Sequence, residues 1–153
     1  MADIVFNIAK GRVAEFITRV DGNDPAPSAI IVVPVDVAAV SDATIRDFTT
    51  LAAILAGGVT ERTATGWTRK TLTDAEIAAI TTDQANDRND ASLPAIIWST
   101  VTAGAVTDLV VCYDADTGAG TDTNIIPLTM HDFPITPDGS NVQADAGVFF
   151  RAS

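Results

Sequence analysis

The stretch LPAIIWSTVTAGAVTDLVVCYDADTGAGTDTNIIPLTMHDF, residues 93–133, decides the fold. It divides into three apolar segments, 94–101, 105–113 and 124–133, separated by a Thr-Ala-Gly turn and a longer turn rich in Asp, Gly and Thr. The segments are dense in β-branched and aromatic side chains, with Trp98, Tyr113 and Phe133 among them. Such side chains suit a pleated, half-buried surface, and the residues between them supply turn chemistry. Three successive strands on short connections predict an antiparallel core against which the rest of the chain packs. No catalytic constellation appears within it.

Downstream, Thr136-Pro137-Asp138-Gly139 places proline and glycine where a tight turn needs them. Segments 142–144 and 147–151 then read as a last hairpin returning to the sheet. Upstream, residues 82–92 (TDQANDRNDAS) read as a polar turn region, and residues 66–73 (GWTRKTLT) alternate as a strand. Thr73-Asp74-Ala75-Glu76 matches a capping box and predicts a short helix through Ile80. The best-defined helix follows Ser41 or Asp42 as cap, with Ile45, Phe48, Ala52 and Leu55 on one face and Gly57-Gly58 ending it. Residues 28–37 (SAIIVVPVDV) read as a buried strand. Pro34 cannot donate a ladder hydrogen bond, which puts that part at an edge or bulge. Asn7 as N-cap and a stripe of Ile8, Val13, Phe16, Ile17 and Val20 predict a first helix. Gly11 weakens it by about 1 kcal/mol relative to alanine, and Asp21-Gly22-Asn23-Asp24-Pro25 stops it. Residues 3–6 read as a short strand or an arm.

These elements predict one α+β domain over residues 1–153. A helix–strand–helix portion spans 1–60 and a mostly antiparallel portion spans 61–153. The expected architecture is an antiparallel sheet or sandwich in the C-terminal half with two N-terminal helices packed on it. A chain of this length buries about 70 % of its unfolded surface and needs no staples.

Composition narrows the functional classes. The net charge is −11, with only two lysines. Affinity for phosphate backbones needs a basic stripe, so neither nucleic acid nor an anionic membrane surface is an expected partner. The opening MADIVFNIAKGR does not read as a secretory signal, and the longest apolar stretch, 29–40, contains Asp36 and is too short to span a bilayer. The single cysteine, Cys112, lies in the apolar run LVVCY and reads as a buried, inert thiol in a reducing compartment.

No catalytic residues and no cofactor are expected. The loop from Asp114 through Asp116 to Asp122 invites a calcium reading, since hard cations want several oxygens in a tight loop. An EF-hand would need glycine and glutamate where this chain has Ala119 and Ile125, so a solvated hairpin loop is preferred. Asp83, Asp87 and Asp90 read as turn residues. His131 and Asp132 point to opposite faces of a strand and do not form a base with its orienter. Serines 28, 41, 92, 99, 140 and 153 lie in no nucleophile elbow. Trp67 and Trp98 read as core. Phe149 and Phe150 are the most informative pair, because on a strand one of them points away from its own core. With Arg151 they form the expected partner interface.

Several segments, in one order across nearly the whole chain, resemble a family of small structural proteins of tailed bacteriophages. They are FNIAKGRVAEFITRV (6–20), Asp24-Pro25, TIRDFTTLAAIL (44–55), Arg69–Thr73, Asn86-Asp87-Arg88, Leu93-Pro94 with Trp98, Val111–Asp114 and GVFFRAS (147–153). The resemblance implies a virion component made in the host cytoplasm, most readily a head decoration (cement) protein. Its implied partner is the major capsid protein, with a homo-oligomer on the capsid surface also compatible. A tail or fibre component binding a host surface or carbohydrate is the other reading. Family members look strand-like over 78–93, as a hairpin, where residues 76–80 here scan as helical.

Overall fold

The computed structural model describes residues 3–37 and 40–152. In chain order the first elements are β1 (Ile4–Val5), a 3-10 turn (Asn7–Ala9), α1 (Val13–Asp21), β2 (Ala29–Asp36), α2 (Asp42–Ile45) and α3 (Leu51–Ala56). Then come β3 (Thr60–Glu61), β4 (Lys70–Leu72), β5 (Thr81–Asp83), β6 (Arg88–Leu93) and β7 (Ile96–Trp98). The chain closes with β8 (Val106–Asp114), β9 (Ile126–Ile135), β10 (Val142–Ala144) and β11 (Gly147–Ala152). The fold is α+β with antiparallel sheets, as the residue pattern predicts.

The main sheet runs β1-β9-β8-β2-β3, with β4 also pairing to β2. Its centre is β2 against β8, in register from Ala29↔Asp114 to Val35↔Asp108. Both strands are apolar on both faces because both faces are covered. On one face Ile30, Val32, Leu109, Val111 and Tyr113 pack with Val13, Phe16, Ile17 and Val20 of α1 and with Trp67 and Trp98. On the other, Ile31, Val33, Val35, Val110, Cys112 and Met130 pack with Phe6, Ile45, Leu51, Ile54 and Val59. Pro34 sits where β2 changes partner from β4 to β3. There its carbonyl accepts from Arg62 N–H at 2.9 Å and no strand asks it for a donor.

Two of the three strands predicted from residues 93–133 lie in the six-stranded main sheet. Segments 105–113 and 124–133 became β8 and β9, while β7 left to pair with β10. The vacant place beside β8 went to β2, whose unbroken apolar run can be buried on both sides.

Four local expectations are corrected. The first helix begins at Val13, because Gly11 adopts φ 76° between the 3-10 turn and α1. Asn7 does not cap it; its amide bonds Asp47 instead. The second helix breaks in two. Ser41 caps α2, and Thr50, extended at φ −141°, caps α3 through Ala53 N–H at 3.1 Å. A threonine hydroxyl competes for backbone donors in this way, so the buried face is Ile45, Leu51 and Ile54 rather than Ile45, Phe48, Ala52 and Leu55 with Leu51 beside them. The capping box closes a turn but no helix. Glu76 accepts from Thr73 N–H at 2.7 Å and from its hydroxyl at 2.6 Å, after which the chain enters β5. Residues 82–92 form the β5–β6 hairpin rather than a plain turn.

The last hairpin is a fifth correction, and it positions the site. β10 and β11 do not pair with each other: β10 pairs β7, with Ala144↔Ile96, and β11 pairs β6, with Gly147↔Leu93. The two pairings are one antiparallel ribbon interrupted at Pro94-Ala95 opposite Asp145-Ala146. Pro94 has no N–H for the ladder, so the ribbon opens and bends there.

Trp67 and Trp98 hold the ribbon to the core. Both are buried, with ring centroids 5.3 Å apart at 63°. Their indole N–H groups donate to Gly104 O at 2.7 Å and Thr68 O at 2.8 Å. Gly66, at φ 93°, brings the chain so close that a Cβ would lie 2.8 Å from Val101 Cα. Gly139, at φ 95°, has nothing within 4 Å of a Cβ. Gly66→Ala is expected to cost about 3 kcal/mol, backbone strain plus clash, and Gly139→Ala about 1 kcal/mol, strain alone. Urea unfolding of the two variants measures the difference.

Candidate functional site

Where the ribbon bends away from the main sheet, an apolar cavity of about 270 Å³ opens. Its floor is the sheet face of Val32, Leu109, Val111, His131 and Phe133. Its walls are Leu93, Pro94 and Ile96 from the bend, with Ala144, Asp145, Gly147, Val148 and Phe149 opposite. The cavity lies where the β6–β11 and β7–β10 pairings part, at Pro94. Val148, at 47 % exposure, stands at its mouth; it and Ile97 of β7 are the exposed large apolar side chains among the described residues.

A smaller cavity of about 180 Å³ lies on the other side of Phe149, lined by Asp3, Ile4, Val5, Thr129, His131, Phe150 and Arg151. The wall between the two is the edge-to-face contact of Phe149 with His131, centroids 6.2 Å apart. His131 is held in place: Nδ1 lies 3.2 Å from Asp3 Oδ2 and Nε2 lies 2.9 Å from Thr129 Oγ1. Its ring faces the side of Leu109, and Asp132 faces that of Asp108, so the two remain apart.

The expected interface residues fall in this region, with one change. A bulge between Val148 and Phe150 breaks the strict alternation of β11, so neither phenylalanine points straight to solvent and both are half-buried. Arg151 is exposed and donates to Asp90 Oδ1 at 2.7 Å, pinning β11 to β6.

Each carboxylate of the Asp-rich loop has a partner within the protein. Asp114 accepts from Asp116 N–H at 3.0 Å, and Asp116 from Gly118 and Ala119 N–H at 2.9 and 3.2 Å. Asp122 is taken by Arg69, whose guanidinium also grips Glu61, every contact between 2.6 and 3.0 Å. The loop backbone serves α3: Asp122 O and Ile125 O each accept, at 2.9 Å, from the N–H groups of Ala52 and Leu51. Those donors would otherwise be orphans of the helix start. No cluster of three or more metal-ligating side chains occurs among the described residues. Asp83 and Asp90 contact Arg88 at 3.1 and 3.4 Å, and Cys112 is buried, its thiol pushed up by burial. Ser28 Oγ is buried without a partner, and Ser153 lies outside the described residues.

Sequence reasoning missed two polar features. One is the Glu61–Arg69–Asp122 clamp, which joins β3, the start of β4 and the β8–β9 loop. The other is Asp108, 1 % exposed and directly opposite Asp132 across β8 and β9, with its Oδ1 unpartnered. Neither has a signal in linear spacing, since each depends on strand register. No family model, curated protein or solved structure matches the chain.

Two stability predictions follow from these groups. The Arg69 guanidinium holds the Asp122 carboxyl below its usual range. Arg69→Met leaves Glu61 and Asp122 without their cation and is expected to cost about 2 kcal/mol at pH 7. That is less than for a fully buried pair, because Arg69 keeps 30 % of its exposure. A depressed carboxyl contributes stability above its unfolded value and loses it as pH falls through the folded one. The gap between wild type and variant therefore narrows below about pH 3.8, which urea titrations at pH 7 and pH 3 test. Burial, and behind it the charge of Asp132, push Asp108 the other way. Folding then takes up a proton, so stability rises as pH falls from neutral towards 3.8. Asp108→Asn is expected to stabilise by about 1 kcal/mol at pH 7 and to lose that advantage near pH 4, as thermal unfolding at the two pH values would show.

Proposed function

We propose that this chain is a non-enzymatic structural protein of a tailed-phage virion, a head decoration (cement) protein that binds the major capsid lattice. The observation that carries partner binding is the apolar cavity beside Phe149, with a smaller, mixed one on the other side of the ring. The polar groups around them are already matched internally, His131 with Asp3 and Thr129, and Arg151 with Asp90. Such a site offers shape and apolar area rather than a reactive group. The resemblance of residues 6–153 to small phage structural proteins supplies the virion setting.

Mechanistically, the protein binds the assembled lattice and not the loose subunit, so it stabilises assembly by mass action. The gain is about 2.7 kcal/mol per site at a free concentration one hundredfold above Kd. The carbohydrate-binding tail reading would need an exposed aromatic platform, and Trp67 and Trp98 are both buried.

Virions made with and without the gene are expected to differ by discrete density on the capsid surface in cryo-electron microscopy difference maps. Those lacking it should release DNA at lower temperature. Unchanged capsid density with a missing tail feature, or absence of the chain from mature particles, overturns the proposal.

A further inference from the structure

We infer that the cavity at the Pro94 bend is an anchor site for a segment of a partner protein that presents a large apolar side chain beside a lysine or arginine. The inference deepens the proposed function and rests on its reading that this chain binds another protein.

Size and lining set the anchor. An apolar cavity of about 150 Å³ already admits benzene, and this one, at about 270 Å³, has room for an aromatic or large aliphatic side chain. Apart from His131 and Asp145 its lining is apolar, and both nitrogens of His131 are engaged. A polar anchor would therefore lose its water without replacement, which buried polar groups do not tolerate.

Charge sets the neighbour of the anchor. The one carboxylate on the rim is Asp145, exposed, with one oxygen accepting from Gln143 at 2.7 Å. Neither lysine nor arginine lines the cavity. A cation placed next to the anchor meets Asp145 and the field of a chain of net charge −11. A second copy of this chain would bring the same negative charge, which disfavours it as the occupant. The smaller cavity beyond Phe149 extends the surface towards β1 and β11. Each is the end strand of its sheet among the described residues, so an extended segment has backbone edges beside its pockets.

The test titrates the full chain, 15N-labelled, with three capped tetrapeptides: Gly-Phe-Lys-Gly, Gly-Phe-Glu-Gly and Gly-Ala-Lys-Gly. The Phe-Lys peptide is expected to give saturable shifts centred on the amides of Leu93, Ile96, Val148 and Phe149. The Phe-Glu peptide should bind about fivefold more weakly, the worth of one exposed ion pair, and the Ala-Lys peptide should not saturate. Asp145→Lys, an exposed change that leaves the fold intact, should abolish the preference for lysine over glutamate. No saturable response to Phe-Lys at millimolar concentration overturns the inference. So does equal binding of the Phe-Glu peptide to wild type. Shifts of the same amides with protein concentration alone also overturn it, in favour of a second copy. These readings use the isolated chain; absence from virions would defeat the proposed function and leave the titration result standing.

Discussion

The fold rests on one strand pair that excludes water on both sides. Along β2 and β8, from Ala29↔Asp114 to Val35↔Asp108, side chains pass alternately into two separate apolar clusters. Each fully buried valine or isoleucine is worth about 1.5–3 kcal/mol, but only if something covers it. Two covers are therefore required. On one face α2, α3 and Phe6 provide it. On the other, α1 covers one end of the sheet and the bent ribbon, anchored by Trp67 and Trp98, covers the rest.

The two covers differ in how well they fit. Helix α3 is locked down by its own first turn, whose donors are met by Thr50 and by carbonyls of the β8–β9 loop. Arg69 then ties that loop to β3, so the acidic segment acts as a brace. The ribbon is a looser cover because Pro94 interrupts its ladder. A kinked ribbon over a twisted sheet leaves a gap, and the gap lies beneath Val148 and beside Phe149.

Much of this was legible from residues. The strand character of 28–37, 105–113 and 124–133, the burial of both tryptophans, the inert cysteine and the Asp-rich hairpin loop all follow from local composition. So does the α1 stripe Val13, Phe16, Ile17 and Val20, although Gly11 removed its first turn. The failures lie where two local signals compete: Thr50 broke a helix that Ile45 and Leu55 seemed to continue, and the Thr73–Glu76 box closed without a helix behind it. At Phe149 and Phe150 strict alternation was expected to turn one ring outward, but a bulge, invisible in the residue order, leaves both half-buried.

The sequence by itself determined which segments are apolar, which of them extend, and where the chain must turn, since these depend on side chains within a few residues of one another. Only the tertiary structure decided which strands pair. β2 displaced β7 beside β8, β10 and β11 chose β7 and β6 over each other, and Asp108 came to face Asp132. Those choices turn on covering two faces of one sheet at once, a condition that no short window of residues contains.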